Sequence, residues 1–176
     1  MITPVNVRHC PQAMENAHRL YLQAFPKAER VPWWMLRLIS HRKGIDLTAW
    51  MDGEIFCGFT CSVEVDGLYF PVFFAVNEAL RGQGYGSQIL SRIRAEHSRV
   101  SLNVETLDPA APNYPERQRR FAFYEKNGFV DTGYHVWEVG GKFRVLSTQP
   151  DMDEKQYRAV FRKMTCGLWR VRLKKA

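Results

Sequence analysis

The chain has 176 residues, a formal net charge of +7, 45% hydrophobic residues and 24% charged ones. These values suit one globular domain, residues 1–176, with a sizeable core. No uncharged apolar stretch approaches the ~20 residues of a membrane span, and no basic segment with an apolar core opens the chain. The expected location is therefore the cytoplasm, with no membrane partner. The positive excess favours anionic partners, whether phosphates, acidic substrates or nucleic acid. Cys10, Cys57, Cys61 and Cys166 show neither metal-site nor disulfide-framework spacing, so reduced thiols and no metal are expected.

Taken in order, Ile2–Arg8 alternates loosely and predicts a first strand. Gln12–Phe25 places Ala13, Ala17, Leu20, Tyr21 and Ala24 on one helical face, and Pro26 ends that helix. After a polar loop, Trp33–Ser40 reads as a short amphipathic helix with Trp34, Leu38 and Met35 inward. Asp46–Met51 and Glu54–Val65 read as strands joined by Asp52-Gly53, a strong hairpin signal. Asp66-Gly67 links the second strand to a third in the same way.

That third strand, Leu68–Val76, is uncharged and rich in aromatics and Val, as a buried strand is. Pro71 cannot donate to a ladder, so it should sit at a bulge or where pairing on one side is interrupted. The chain then turns through Arg81-Gly82-Gln83-Gly84-Tyr85-Gly86 into a helix, Gln83–His97, with Ile89, Leu90 and Ile93 inward. Arg92, Arg94 and Glu96 look outward. Closely spaced glycines let successive N–H groups point into one concavity, and the helix start adds its unpaired donors and positive dipole end. Such a loop suits a phosphate or pyrophosphate. It is not a Walker A loop, because no lysine follows Gly86. A dinucleotide fingerprint fits poorly: its third glycine is Ser87, and Val76–Gly82 is long for a tight turn.

Val100–Glu105 predicts the next strand, parallel to the third. Thr106–Pro115 is a proline-bearing loop, and Glu116–Asn127 a helix capped by Gly128. Phe129–Glu138 and Lys142–Leu146 form a hairpin across Gly140-Gly141. Asp151–Met164 is a terminal helix capped by Asp151 or Asp153. Arg158, Arg162, Lys163, Arg170, Arg172, Lys174 and Lys175 have no acidic residue among them. That tail reads as a solvated face or frayed end in preference to a nucleic-acid patch.

The run Val76-Asn77-Glu78-Ala79-Leu80-Arg81-Gly82-Gln83-Gly84-Tyr85-Gly86 resembles the central motif of the GNAT superfamily of acyl-CoA N-acyltransferases, Arg/Gln-x-x-Gly-x-Gly/Ala. Arg81, Gly84 and Gly86 stand at its three defining positions. A second family motif, aromatic-Tyr-x-x-x-Gly-Phe, appears as Phe123-Tyr124-Glu125-Lys126-Asn127-Gly128-Phe129. The resemblance covers roughly residues 2–146 in order of elements. It implies an α/β (mixed α+β) GNAT-like fold: a twisted, largely antiparallel sheet with a splayed central parallel pair and helices on both faces.

The same resemblance implies an acetyl-CoA-dependent N-acetyltransferase, with acetyl-CoA as cosubstrate and an amine-bearing acceptor, either a small molecule or a protein amine. Coenzyme A would be held by the backbone of Gln83, Gly84, Tyr85, Gly86 and Ser87 with Arg81 beside them. Phe74, Ala75 and Val76 would pair with the pantetheine amides. Tyr124 occupies the family's general-acid position, and a phenol stays protonated at neutral pH. Glu105 is the first choice for general base, ahead of Glu64, Glu29 and a water relay. Glu29, Arg30, Trp33 and Trp34 lie where the family contacts its acceptor. Relatives often carry Asn seven residues before the motif tyrosine. Here that position is Arg117, which would meet coenzyme A phosphates or an acidic substrate. A homodimer stays open. Two readings from other classes remain: a silent acyl-CoA sensor, and a basic nucleic-acid-binding protein. Against the latter, the aromatic residues lie mostly in apolar strands and are not interleaved with the basic tail.

Overall fold

The computed structural model describes residues 1–138, 141–167 and 171–175. The chain divides into two compact units, Met1–Glu64 with Pro71–Glu96 and Val65–Phe70 with His97–Ala176. The class is the expected mixed α/β, with eight strands and five α-helices among the described residues.

The first unit holds β1 (Ile2–Asn6), α1 (Pro11–Ala24), α2 (Trp33–Ile39), β2 (Ile45–Asp52), β3 (Ile55–Val65), the later part of β4 (Leu68–Val76) and α3 (Tyr85–Glu96). β1 pairs antiparallel with β2, and β2 with β3, across a bulge at Trp50/Met51. The turn between β2 and β3 falls on Gly53-Glu54, one residue later than the sequence suggests, with Gly53 at φ +59°. β3 is buried on both faces from Cys57 to Val63, as befits an inner strand. Tyr21 of α1 centres an aromatic cluster, its ring 5.0 Å from Phe73, 5.5 Å from Trp33 and 6.0 Å from Phe59. Ile89, Leu90 and Ile93 of α3 are buried as predicted, each contributing about 1.5–3 kcal/mol of transfer free energy.

The face of α2 is a correction. Leu36 and Ile39 are its buried residues, whereas Trp34 is 64% exposed, Leu38 62% and Met35 37%. Six of its seven residues, WWMLRLI, are apolar, so no polar stripe fixes the phase. Arg37 is the one polar residue, and at 100° per residue Trp34 lies about 60° from it, whereas exposed Leu38 and buried Leu36 stand equally far to either side.

The second unit holds the start of β4, β5 (Arg99–Glu105), α4 (Tyr114–Lys126), β6 (Val130–Glu138), β7 (Gly141–Ser147), α5 (Glu154–Met164) and β8 (Arg172–Lys175), in strand order β4-β5-β7-β6-β8. β4 and β5 pair in parallel through Leu68↔Arg99 and Tyr69↔Val100, where the ladder ends. Pro71 follows two residues later, so the missing donor falls where pairing on that side has stopped. The other pairs are antiparallel. The hairpin tip expected at Gly140-Gly141 has Gly140 outside the described residues. Asp153 is the α5 cap, accepting from the N–H groups of Lys155 (2.8 Å) and Gln156 (3.2 Å). Asp151 instead pairs with Arg99 at 3.2 Å.

The basic tail is an ordered strand and not a frayed end, and its Arg172, Lys174 and Lys175 are exposed, as on a solvated face. Arg172–Lys175 forms an antiparallel strand on β6, with Trp137↔Arg172 and His135↔Lys174 in register. Charged residues, lysine above all, are a usual way of blunting an edge strand. Arg170 lies outside the described residues.

Candidate active site

In the first unit, the geometry of the glycine loop follows from its accounting of donors. Gly82 and Gly84 take left-handed conformations, φ +80° and +85°, and the intervening Gln83 does not. This alternation turns neighbouring N–H groups toward one side. Gln83 N–H closes a turn onto the Leu80 carbonyl at 3.3 Å, and Gln88 N–H makes the first bond of α3 to Gly84 at 3.1 Å. Among the described residues, the N–H groups of Gly84, Tyr85, Gly86 and Ser87 have no backbone acceptor. Space is available too: a methyl on Gly84 would meet nothing nearer than Gln88 Nε2 at 4.0 Å. Four donors at a helix start beside open space fit an anionic diphosphate.

The side chains around this loop are anchored elsewhere. Arg81 pairs with Glu78 at 3.0 Å and both are exposed, so its guanidinium is cheaply redirected. The Tyr85 hydroxyl donates to Asp52 at 3.4 Å, and burial followed by the Asp52 charge raises its pKa. Only the Tyr85 backbone is available to a ligand. Asn77 is the residue sequence reasoning passed over. Its N–H and Nδ2 donate to Cys57 O (2.8 Å) and Phe56 O (2.9 Å), and its Oδ1 accepts from Ala79 N–H (3.2 Å). It thereby fixes the end of β4 and caps the turn leading to the loop. An Asn between an apolar run and a glycine loop was the available signal.

Along β4, Phe74 and Val76 are half-buried and Ala75 buried. The Ala75 carbonyl lies 2.4 Å from where a Cβ on Gly58 would stand, so only glycine permits this approach of β3. Of the expected acceptor contacts, Trp33 belongs to the aromatic cluster, stacked on His18 at 4.8 Å, while Trp34 is exposed. Arg30 Nε donates to the Phe25 carbonyl at 2.7 Å, fixing the loop between α1 and α2, where Glu29 also lies.

In the second unit, the aromatic-Tyr-x-x-x-Gly-Phe motif is a helix stop. Gly128, φ +79°, carries the chain out of α4. Its N–H donates to Glu125 O at 2.9 Å, and Phe129 N–H to Tyr124 O at 3.1 Å. These are the two bonds of a Schellman cap, and its hydrophobic contact is Tyr124 against Phe129, rings 5.7 Å apart. Tyr124 is thus held at both backbone and ring. Its hydroxyl has no hydrogen-bond partner among the described residues, and burial pushes the phenol up to about 12 against a small opposing pull from Arg120.

Glu105, expected as general base, lies at the end of β5 in an ion cluster. Its carboxylate pairs with Arg117 at 3.2 Å, pairs with Arg120, and accepts from Asn113 Nδ2 at 3.2 Å. Arg117 also donates to Asn113 Oδ1 (2.7 Å) and Thr106 O (3.0 Å). Its guanidinium therefore ties the β5 end, the following loop and the α4 start together, and is not held free for a phosphate. The same cluster engages both oxygens of the Glu105 carboxylate.

Residues 46–131 match the family described as the acetyltransferase (GNAT) domain. Over that segment the chain is similar to the GNAT superfamily, and its fold is the one GNAT structures share. It is 26% identical over 85 residues to a Bacillus subtilis (strain 168) protein described as an acetyltransferase, YjbC; the match spans 48% of this chain and only 41% of that protein. A GNAT-family structure from Bacteroides thetaiotaomicron superposes with TM-score 0.71 at 21% identity, over 96% of this chain and 99% of that one. An aminoglycoside 6'-N-acetyltransferase complexed with coenzyme A gives 0.67 at 15% identity, over 87% and 99%. Among the described residues no helix is long and apolar enough to cross a membrane, and no cluster of His, Cys, Asp and Glu could hold a metal ion.

Proposed function

We propose that this chain is a single-domain, cytoplasmic N-acetyltransferase moving an acetyl group from acetyl-CoA directly to a primary amine. The observation that carries the reading is the loop at Gly84–Ser87, with four backbone donors unspent beside open space. The likeness to an enzyme complexed with coenzyme A supports the cosubstrate, and that enzyme's aminoglycoside substrate supports an amine acceptor.

In this reading the amine nitrogen attacks the thioester carbonyl, the carbon–sulfur bond breaks, and the departing thiolate takes the Tyr124 hydroxyl proton. Solvent then restores that proton. Burial keeps Tyr124 protonated at neutral pH, so the proton is there to give, while the rise to about 12 makes it a weaker acid than a free phenol. The ammonium proton leaves through water, since the Glu105 carboxylate is engaged by two arginines.

The test is release of free thiol from acetyl-CoA by the full chain across a panel of small amines and peptide amines, alongside calorimetry of coenzyme A binding. Acceptor-dependent thiol release is expected. Tight binding with no release for any amine would replace the enzyme by the sensor reading, and absence of binding would overturn both.

A further inference from the structure

The pairing of β8 onto β6 creates an array that linear sequence hides. Residues opposite one another on neighbouring strands share a face, as do residues two apart along a strand. The register Lys142↔Trp137↔Arg172 forms one row across β7, β6 and β8, and Arg144↔His135↔Lys174 forms the next. Each row has a ring in the middle and a cation on either side. From strand spacings the array measures roughly 10 Å by 7 Å.

The contacts are consistent with that register. Lys142 Nζ lies 5.4 Å from the centroid of the Trp137 ring, and the Arg172 guanidinium 5.3 Å from it. Lys142, Arg172 and Lys174 are exposed and have no ion-pair partner among the described residues. Arg144 is partly neutralised by Asp131 at 2.6 Å and lies over the Phe121 ring at 5.5 Å. Its buried Nε has no hydrogen-bond partner among the described residues. Burial, then the charges of Lys142 and Arg144, hold the His135 imidazole below its ordinary pKa, leaving it a neutral ring at pH 7.

We infer that this face binds single-stranded nucleic acid, one base stacking on the Trp137 ring and the backbone phosphates pairing with Lys142, Arg172 and Lys174. Exposed cations resting on an indole exchange a weak ring contact for a phosphate at small cost, and they uncover the ring when they do. A planar ring flanked by cations is the pattern of a sequence-tolerant single-strand site. An acidic peptide would use the cations but leave the indole without purpose. The interleaving of aromatic and basic residues, absent along the sequence, is supplied by strand register.

The experiment is fluorescence anisotropy of a labelled 12-nucleotide homopolymer with the full chain, over a salt series. Three phosphate contacts predict a log–log salt slope of about −2. Arg172→Gln/Lys174→Gln should flatten the slope to about −0.7 and weaken binding at least tenfold at low salt. The same charge removed elsewhere, Arg92→Gln/Arg162→Gln, should change affinity less than about twofold. Trp137→Ala should cost at least about fivefold, and because that variant risks misfolding, photo-crosslinking of the wild-type complex is read in parallel. The crosslink is expected on the peptide carrying Trp137. No binding, equal loss in the control pair, a crosslink elsewhere, or equal competition by polyglutamate of matched length would each overturn the proposal. The last outcome would make the surface an acidic-peptide site.

Discussion

Two glycine motifs in this chain put glycine at nearly the same backbone angle and use it in opposite ways. Gly82 and Gly84 at φ +80° and +85° lead into α3, and the N–H groups that follow are left without backbone acceptors. Gly128 at +79° leads out of α4, and its N–H and that of Phe129 fold back onto Glu125 and Tyr124. The first motif leaves its donors unspent, and the proposed coenzyme A site would use them; the second spends its donors on the fold. A positive φ alone therefore does not distinguish a binding loop from a cap. Counting where each N–H goes does.

The sharpest way to break this comparison is at Tyr124, where the cap and the proposed chemistry meet. Tyr124→Phe keeps the ring against Phe129 and the backbone bond to it, and removes only the hydroxyl. A fall in kcat of about 10²-fold is expected, with coenzyme A affinity nearly unchanged. The alkaline stability curve should change as well. Folded Tyr124 loses its proton near 12 and an unfolded tyrosine near 10, so its contribution is intact below pH 10 and lost as pH rises toward 12. The Phe variant should show a shallower alkaline decline in Tm. If kcat stays within about twofold while chemistry is rate-limiting, the residue belongs to the cap alone.

Next in size come paired changes at the glycines. Gly84→Asp places a carboxylate at the proposed diphosphate position in a strained conformation, and should weaken coenzyme A binding by well over tenfold, measured by calorimetry. Gly128→Ala strains the cap by about 1–2 kcal/mol, which denaturant unfolding would record, with coenzyme A affinity per folded molecule retained. Equal losses of affinity in both variants would show that the two motifs do not differ in use.

How much of this was legible in sequence depended on where the deciding information lies. β4 matches its predicted bounds, because Asp66-Gly67 and Asn77 punctuate an uncharged run. The Gly128 cap was readable from one residue. α2 was misphased because six apolar residues in seven leave the phase to its packing partners. β8 was missed because Arg-Leu-Lys-Lys carries little periodicity, and its strand character comes from pairing with a segment about 40 residues earlier. Glu105, Arg117 and Asn113 meet only when strand, loop and helix are folded, so the spacing of charges gave no sign of their cluster.

That cluster yields the smallest expected effect and the most discriminating one. Glu105→Gln removes the negative charge while leaving an amide oxygen that can still accept from Arg117 and Asn113. If Glu105 is the base, kcat falls by the 10²–10⁴-fold typical of a lost proton acceptor, and an acid limb disappears from the pH profile. If it is the clamp that its partners indicate, the charge change costs about 1 kcal/mol of stability, because Arg117 and Arg120 lose a half-buried counter-ion. Turnover would then stay within about threefold, with the pH profile unmoved. Arg117→Lys separates the cases further. A lysine keeps the positive charge but cannot reach Asn113, Thr106 and Glu105 together, so a clamp should weaken with Arg117→Lys nearly as much as with Glu105→Gln. A catalytic base would leave the two variants far apart in kcat, because only one of them removes the proton acceptor.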